Sequence, residues 1–119
     1  MRYLKRLFFA VGLGLALVTA VQAETITPHQ AAQFVGASVT VEGVVSQVST
    51  SRGGTTFINF GGRYPNHVFY GVIFKNSAGQ FPGVHGLEGR AVAISGKIKS
   101  YKGKPQIILS SSGQIELRK

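Results

Sequence analysis

Cysteine and aspartate are both absent from this chain of 119 residues, and its acidic residues number only four, all of them glutamate. Without cysteine there is no disulfide, no thiolate nucleophile and no thiolate ligand for a metal. Lipid attachment through a cysteine behind a leader is closed as well. Without aspartate, and with Glu24, Glu42, Glu88 and Glu116 spread along the chain, a calcium-holding carboxylate cluster has no evident source. A long apolar run is lacking too. Residues 7–21 are apolar, but they fall short of the ~20 residues that a spanning helix needs.

That short run carries a different meaning. It follows Arg2, Lys5 and Arg6 and precedes Val21-Gln22-Ala23, the order of a cleavable signal peptide. Residues 1–23 are therefore expected to be removed before Glu24. The mature chain, residues 24–119, would then be one periplasmic or secreted domain with no transmembrane span.

What remains is basic. Of thirteen lysines and arginines, three lie in the leader, leaving ten against four glutamates and a surplus of six positive charges. On so small a domain this favours polyanionic partners such as nucleic acid, anionic glycan or a phospholipid surface.

A ten-residue pattern occurs twice. Gly36-x-x-Val39-x-Val41-x-Gly43-x-Val45 recurs as Gly89-x-x-Val92-x-Ile94-x-Gly96-x-Ile98 with identical spacing. Apolar residues at every second position predict two half-buried strands. The glycine within each apolar face marks a sharp bend or a close approach. Around these, Thr27-Pro28 opens a short helix that Gly36 stops. Strand one is predicted over residues 38–49, strand two over 55–60, strand three over 67–74, strand four over 90–100 and strand five over 105–109. Turns are expected at 51–54 and 101–104, a loop at 61–66, and an irregular segment at 75–88. Ile115 and Leu117 are read as an extension of strand five.

Five such strands, with a break between the third and fourth, resemble the OB-fold, a five-stranded Greek-key barrel, here with a short N-terminal helix. The segment Thr56-Phe57-Ile58-Asn59-Phe60-Gly61-Gly62-Arg63-Tyr64-Pro65, followed by Phe69-x-x-Val72-Ile73-Phe74, resembles stand-alone bacterial OB domains grouped with nucleic-acid-binding proteins. The stretch from Leu87 to Ile98, ending in Tyr101-x-Gly103-x-Pro105-Gln106-Ile107, is similar to the last two strands of the tRNA-anticodon-binding OB group. The barrel of staphylococcal-type thermonucleases is a related fold, but its carboxylate cluster has no counterpart here. The periplasmic OB family tied to stress tolerance carries aspartate-rich loops, which this chain lacks.

The resemblance implies a ligand on the outer face of strands two and three, flanked by the first and last hairpin loops. The candidate residues are Arg52 in the first loop, Phe57 and Asn59 on strand two, Arg63 and Tyr64 in the following loop, Lys97 and Lys99 on strand four, and Tyr101, Lys102 and Lys104 in the last hairpin. Ile58 and Phe60 are assigned to the core. Outward rings offer flat platforms for bases, and cations meet phosphates. The leading partner is thus single-stranded nucleic acid or another polyanion. An envelope protein or glycan is the second, and a degenerate thermonuclease-like protein the third. His29, His67 and His85 lack ligand-like spacing, so no metal, cofactor or catalysis is expected.

Overall fold

A computed structural model describes residues 23–119; the expected signal peptide lies outside them in all but Ala23. Among the described residues no helix is long and apolar enough to cross a membrane. The strands are β1 (Thr25–Ile26), β2 (Ser38–Thr50), β3 (Thr56–Phe60), β4 (Phe69–Ile73), β5 (Ala91–Lys97), β6 (Lys99–Tyr101), β7 (Lys104–Ile108) and β8 (Ile115–Leu117). The predicted N-terminal helix is a 3-10 helix, Pro28–Phe34, in which Gln30 Oε1 accepts the Thr27 N–H at 2.9 Å. Two further 3-10 turns, Lys75–Gln80 and Val84–Leu87, occupy the irregular segment.

The repeat pairs with itself. Across the antiparallel β2–β5 ladder Val39 faces Gly96, Val41 faces Ile94 and Gly43 faces Val92. The two copies are therefore related by a local two-fold axis passing between Val41 and Ile94. Hydrogen bonds beyond the ladder obey the same symmetry. Gly36 N–H donates to Ile98 O and Gly89 N–H to Val45 O, each at 2.8 Å. Both copies are entered by a type II turn, with Val35 and Glu88 near φ −59 and −56 and the following glycines at φ +95 and +81. That positive φ is why glycine stands at both positions. The two mid-strand glycines serve close packing. A Cβ on Gly43 would lie 2.7 Å from Pro28 Cγ, and one on Gly96 2.7 Å from Ile107 Cγ2.

β2 is long enough to change partners. Its first half pairs with β5, and after an irregularity between Val45 and Gln47 its second half pairs with β3. β3 pairs with β4, β4 runs parallel to β7, and β7 pairs with β6. The resulting order is β6-β7-β4-β3-β2-β5-β8, with β1 beside β2. This corrects two expectations. The sheet has eight strands, not five, and its hydrogen-bonded path does not close into a barrel. Strand four splits at Ile98, whose backbone bonds to Gly36 and Ala37 while its side chain is fully buried. β5 thereby stays with β2 while β6 goes to β7. Between β5 and β7 the seam is filled by Ile107 packed against Gly96, not by a ladder. Ile115 and Leu117 also do not extend strand five: they form β8, antiparallel to β5.

The core lies between these ladders. Ile58, Phe60, Phe69, Ile94, Ile98 and Ile107 are fully buried in it, each such side chain contributing ~1.5–3 kcal/mol by burial. Phe60 and Phe69 pack with ring centroids 5.4 Å apart. Inward Ile58 and Phe60 leave Phe57 and Asn59 on the outer face, as the alternation along β3 predicted.

Candidate ligand-binding cleft

On that outer face the ladder registers line up two rows. Gln47, Asn59, Tyr70 and Gln106 are successive cross-strand neighbours from β2 to β7, and Ser49, Phe57, Val72 and Ile108 form the row beside them. Inward Phe69, Gly71 and Ile73 send Tyr70 and Val72 outward. The rows floor a cleft of about 420 Å³ lined by Ser49, Phe57, Asn59, Tyr64, Pro65, His67, Tyr70, Tyr101, Lys102 and Lys104.

One wall is the loop between β3 and β4. Ser46 Oγ accepts the Gly62 N–H at 3.0 Å and Gln47 Oε1 accepts the Tyr64 N–H at 2.8 Å, tying this loop to β2. From the opposite side Lys104 Nζ donates to Pro65 O at 2.7 Å and His67 O at 2.6 Å. Hydrogen bonds from a charged donor contribute ~1.5–3 kcal/mol when sheltered, and less at this half-exposed site. Two of the three Lys104 donors are therefore committed to holding the cleft's shape. The second wall is the β6–β7 hairpin, where Lys102 at φ +48 and Gly103 at φ +82 make a tight turn. Lys102 Nζ lies 5.4 Å from the Tyr101 ring centroid.

Four rings run along the cleft in contact. Phe57 and Tyr70 have centroids 6.0 Å apart, Tyr70 and His67 meet edge to face at 5.3 Å, and His67 and Tyr64 are 5.9 Å apart and tilted by 30°. Tyr64 is 73% exposed and Tyr101, on the facing wall, 54%. Asn59 at 2%, Tyr70 at 6% and His67 at 7% form the buried floor. Burial, reinforced by the Lys104 charge, lowers the His67 pKa below its ordinary 6.5, so the ring is neutral at neutral pH. Burial, with Tyr101 nearby, raises that of the Tyr70 hydroxyl, which stays protonated as a donor. His67 Nδ1 is buried with no hydrogen-bond partner among the described residues.

Six of the residues singled out in the sequence thus meet in one place: Phe57, Asn59, Tyr64, Tyr101, Lys102 and Lys104. Four do not line it. Arg52 sits in the exposed β2–β3 turn, and Arg63 is exposed on the loop beside Tyr64. Lys97 and Lys99 are separated by the break at Ile98: Lys97 pairs with Ser38 in the β2–β5 ladder, whereas Lys99 pairs with Gln106 beside the cleft. The expected first-hairpin wall is replaced by the β3–β4 loop. Tyr70 and His67 were not among the singled-out residues. The register opposite Asn59 is the signal that would have found Tyr70.

Elsewhere, Glu42 and Glu116 both accept from Arg118, and Glu88 accepts the Val48 N–H at 2.9 Å. Three of the four carboxylates are thus engaged away from the cleft.

No protein-family model matches the chain, and no curated protein does. Among solved structures it is similar to OBody AM1L10 bound to hen egg-white lysozyme, at a TM-score of 0.60 and 17% identity over 84% of this chain and 98% of that one. It is also similar to a chain described as an aspartyl-tRNA synthetase from Leishmania major Friedlin, at a TM-score of 0.52 and 9% identity. That match covers 85% of this chain and 22% of the synthetase. At such identities the likeness concerns fold alone. The fold is of the OB type.

Proposed function

We propose that the protein is a non-catalytic binding module that takes single-stranded nucleic acid in the cleft between the β3–β4 loop and the β6–β7 hairpin, and that it works outside the cytoplasm. The observation that carries this reading is the run of four contacting rings opposite Tyr101 and Lys102. Exposed Tyr64 and Tyr101 offer stacking faces on either wall, each worth ~1–3 kcal/mol per base. Lys102, Lys99 and Arg63 stand nearby to meet phosphates, and the surplus of cations over glutamates draws a polyanion in. The similarity to a tRNA synthetase chain supports the same reading.

The test is a fluorescence-anisotropy titration with a labelled 12-nucleotide strand at several salt concentrations. Binding should weaken with salt on a log–log slope of about −0.7 per phosphate contacted. No binding at low salt removes the proposal. A protein ligand is the second reading, favoured by the similar OBody structure being a complex with lysozyme. In that case one partner would be retained at salt that abolishes oligonucleotide binding.

A further inference from the structure

The outer face does not stop at the cleft. Thr56 faces Ile73 in the β3–β4 ladder, so Thr55 and Phe74 are the next opposed pair beyond it. The alternation that turns Phe57, Asn59, Tyr70 and Val72 outward turns these two the same way. Phe74 keeps an extended backbone, φ −74 and ψ 157, so the series carries through it. On the other side the Ser51 N–H donates to Thr55 O at 2.8 Å, prolonging the β2–β3 ladder to the same level. Phe74 thus lies four positions past Tyr70, about 13 Å farther along at the ~3.3 Å rise of an extended chain. Phe57 stands between them, in contact with Tyr70.

This end of the face repeats the chemistry of the cleft. Phe74 is 47% exposed and takes no part in the core. With Thr55, Lys75 and Asn76 it lines a shallow hollow. Lys75 is laid across the β2–β3 turn by its methylene stem: Cγ and Cδ lie 3.0 Å from where a Cβ on Gly54 would stand. Lys75 is exposed, as is Arg52 in that turn. The carboxylates are occupied elsewhere, Glu42 and Glu116 on Arg118 and Glu88 on the Val48 N–H. Among the described residues no glutamate lines the cleft or the hollow. A single exposed ring signifies little. A ring flanked by cations, in line with an aromatic cleft and on the same face, is a continuation of it.

We infer that Phe74 and Lys75 form a second station for the same single strand, the ring stacking on a base and the ammonium meeting a phosphate. The ligand then runs along the outer face from Tyr64 and Tyr101, over Phe57, to the β2–β3 turn. This rests on the nucleic-acid reading above and adds to it the strand's course and a second point of contact.

The probe is a labelled 12-mer of deoxythymidine, titrated by anisotropy at several salt concentrations against wild type, Phe74→Ala, Phe74→Tyr and Lys75→Gln. Loss of one stacked base should weaken binding by Phe74→Ala about tenfold, while Phe74→Tyr, which keeps a ring, should bind within about twofold of wild type. Lys75→Gln should make the log–log salt slope shallower by ~0.7, one phosphate contact. Thermal unfolding checks that each variant folds. In wild type the amide NMR signals of Thr55, Phe74, Lys75 and Asn76 should shift together with those of the cleft as the 12-mer is added. An affinity unchanged in Phe74→Ala, or shifts confined to the cleft, overturns this inference and leaves the nucleic-acid reading standing. Failure of the 12-mer to bind wild type at low salt overturns both.

Discussion

His67 is packed between Tyr64 and Tyr70 with little solvent access, and its environment opposes protonation. Because its pKa is lowered in the folded state, the unfolded chain binds more protons as pH falls below the ordinary value of 6.5. Stability is therefore full above that value and declines as pH drops toward the folded pKa. Urea midpoints measured between pH 7.5 and 5 should fall in wild type, and fall less in His67→Gln. An equal decline in both would mean that another group carries the acid sensitivity. At this scale the alternation of β3 was fully legible, because Ile58 and Phe60 face a core and Phe57 and Asn59 do not. Tyr70 and His67 were not. All five residues of β4 are buried, one face by the core and the other by the cleft floor, so the strand reads as an unbroken apolar run with no parity.

The two walls of the cleft are elements of different kinds. The β3–β4 loop is held by others: by Ser46 and Gln47 from β2 and by Lys104 from β7. The β6–β7 hairpin holds itself by its turn, which requires positive φ at both central residues. Gly103 meets that requirement freely, but Lys102 at φ +48 does not. Asparagine fits such a position better than lysine does. Lys102→Asn should raise stability by about 0.5 kcal/mol, read as a rise in Tm, and weaken oligonucleotide binding about threefold with a slope shallower by ~0.7. If affinity and its salt slope are unchanged in this variant, Lys102 has no part in binding. The hairpin itself was legible from its composition. The loop's role as a wall was not, since nothing in residues 61–66 reveals that Lys104, far along the chain, anchors it.

Over the whole molecule the organising feature is the repeat. The spacing of 53 residues between its copies reappears as a local two-fold axis through the β2–β5 ladder, down to matched turns and matched terminal hydrogen bonds. This was legible as two curved strands sharing a core, but not as an open ladder. Strand four has continuous alternation across Ile98, and only the three-dimensional demand of packing Ile107 against Gly96 divides it. The symmetry ends where each glycine meets its neighbour, and there the copies should diverge under mutation. A methyl on Gly43 would press on Pro28, which is half-buried at the start of the 3-10 helix. A methyl on Gly96 would press on Ile107, which is fully buried, and at 3.2 Å on Gln114 Nε2, which bonds Ser95 O and Ile108 O. Overpacking of this kind costs ~1–3 kcal/mol, the enclosed copy has fewer ways to relax, and Gly96, unlike Gly43, sits at a positive φ of 156° that a residue with a side chain rarely adopts. Gly43→Ala should therefore sit near the low end of that range and Gly96→Ala near or above its high end. In a domain of this size each kcal/mol lowers Tm by about 4–8 °C, so calorimetry would separate the two variants clearly. A larger loss in Gly43→Ala than in Gly96→Ala would show that the 3-10 helix, and not the β5–β7 seam, is the tighter of the two contacts.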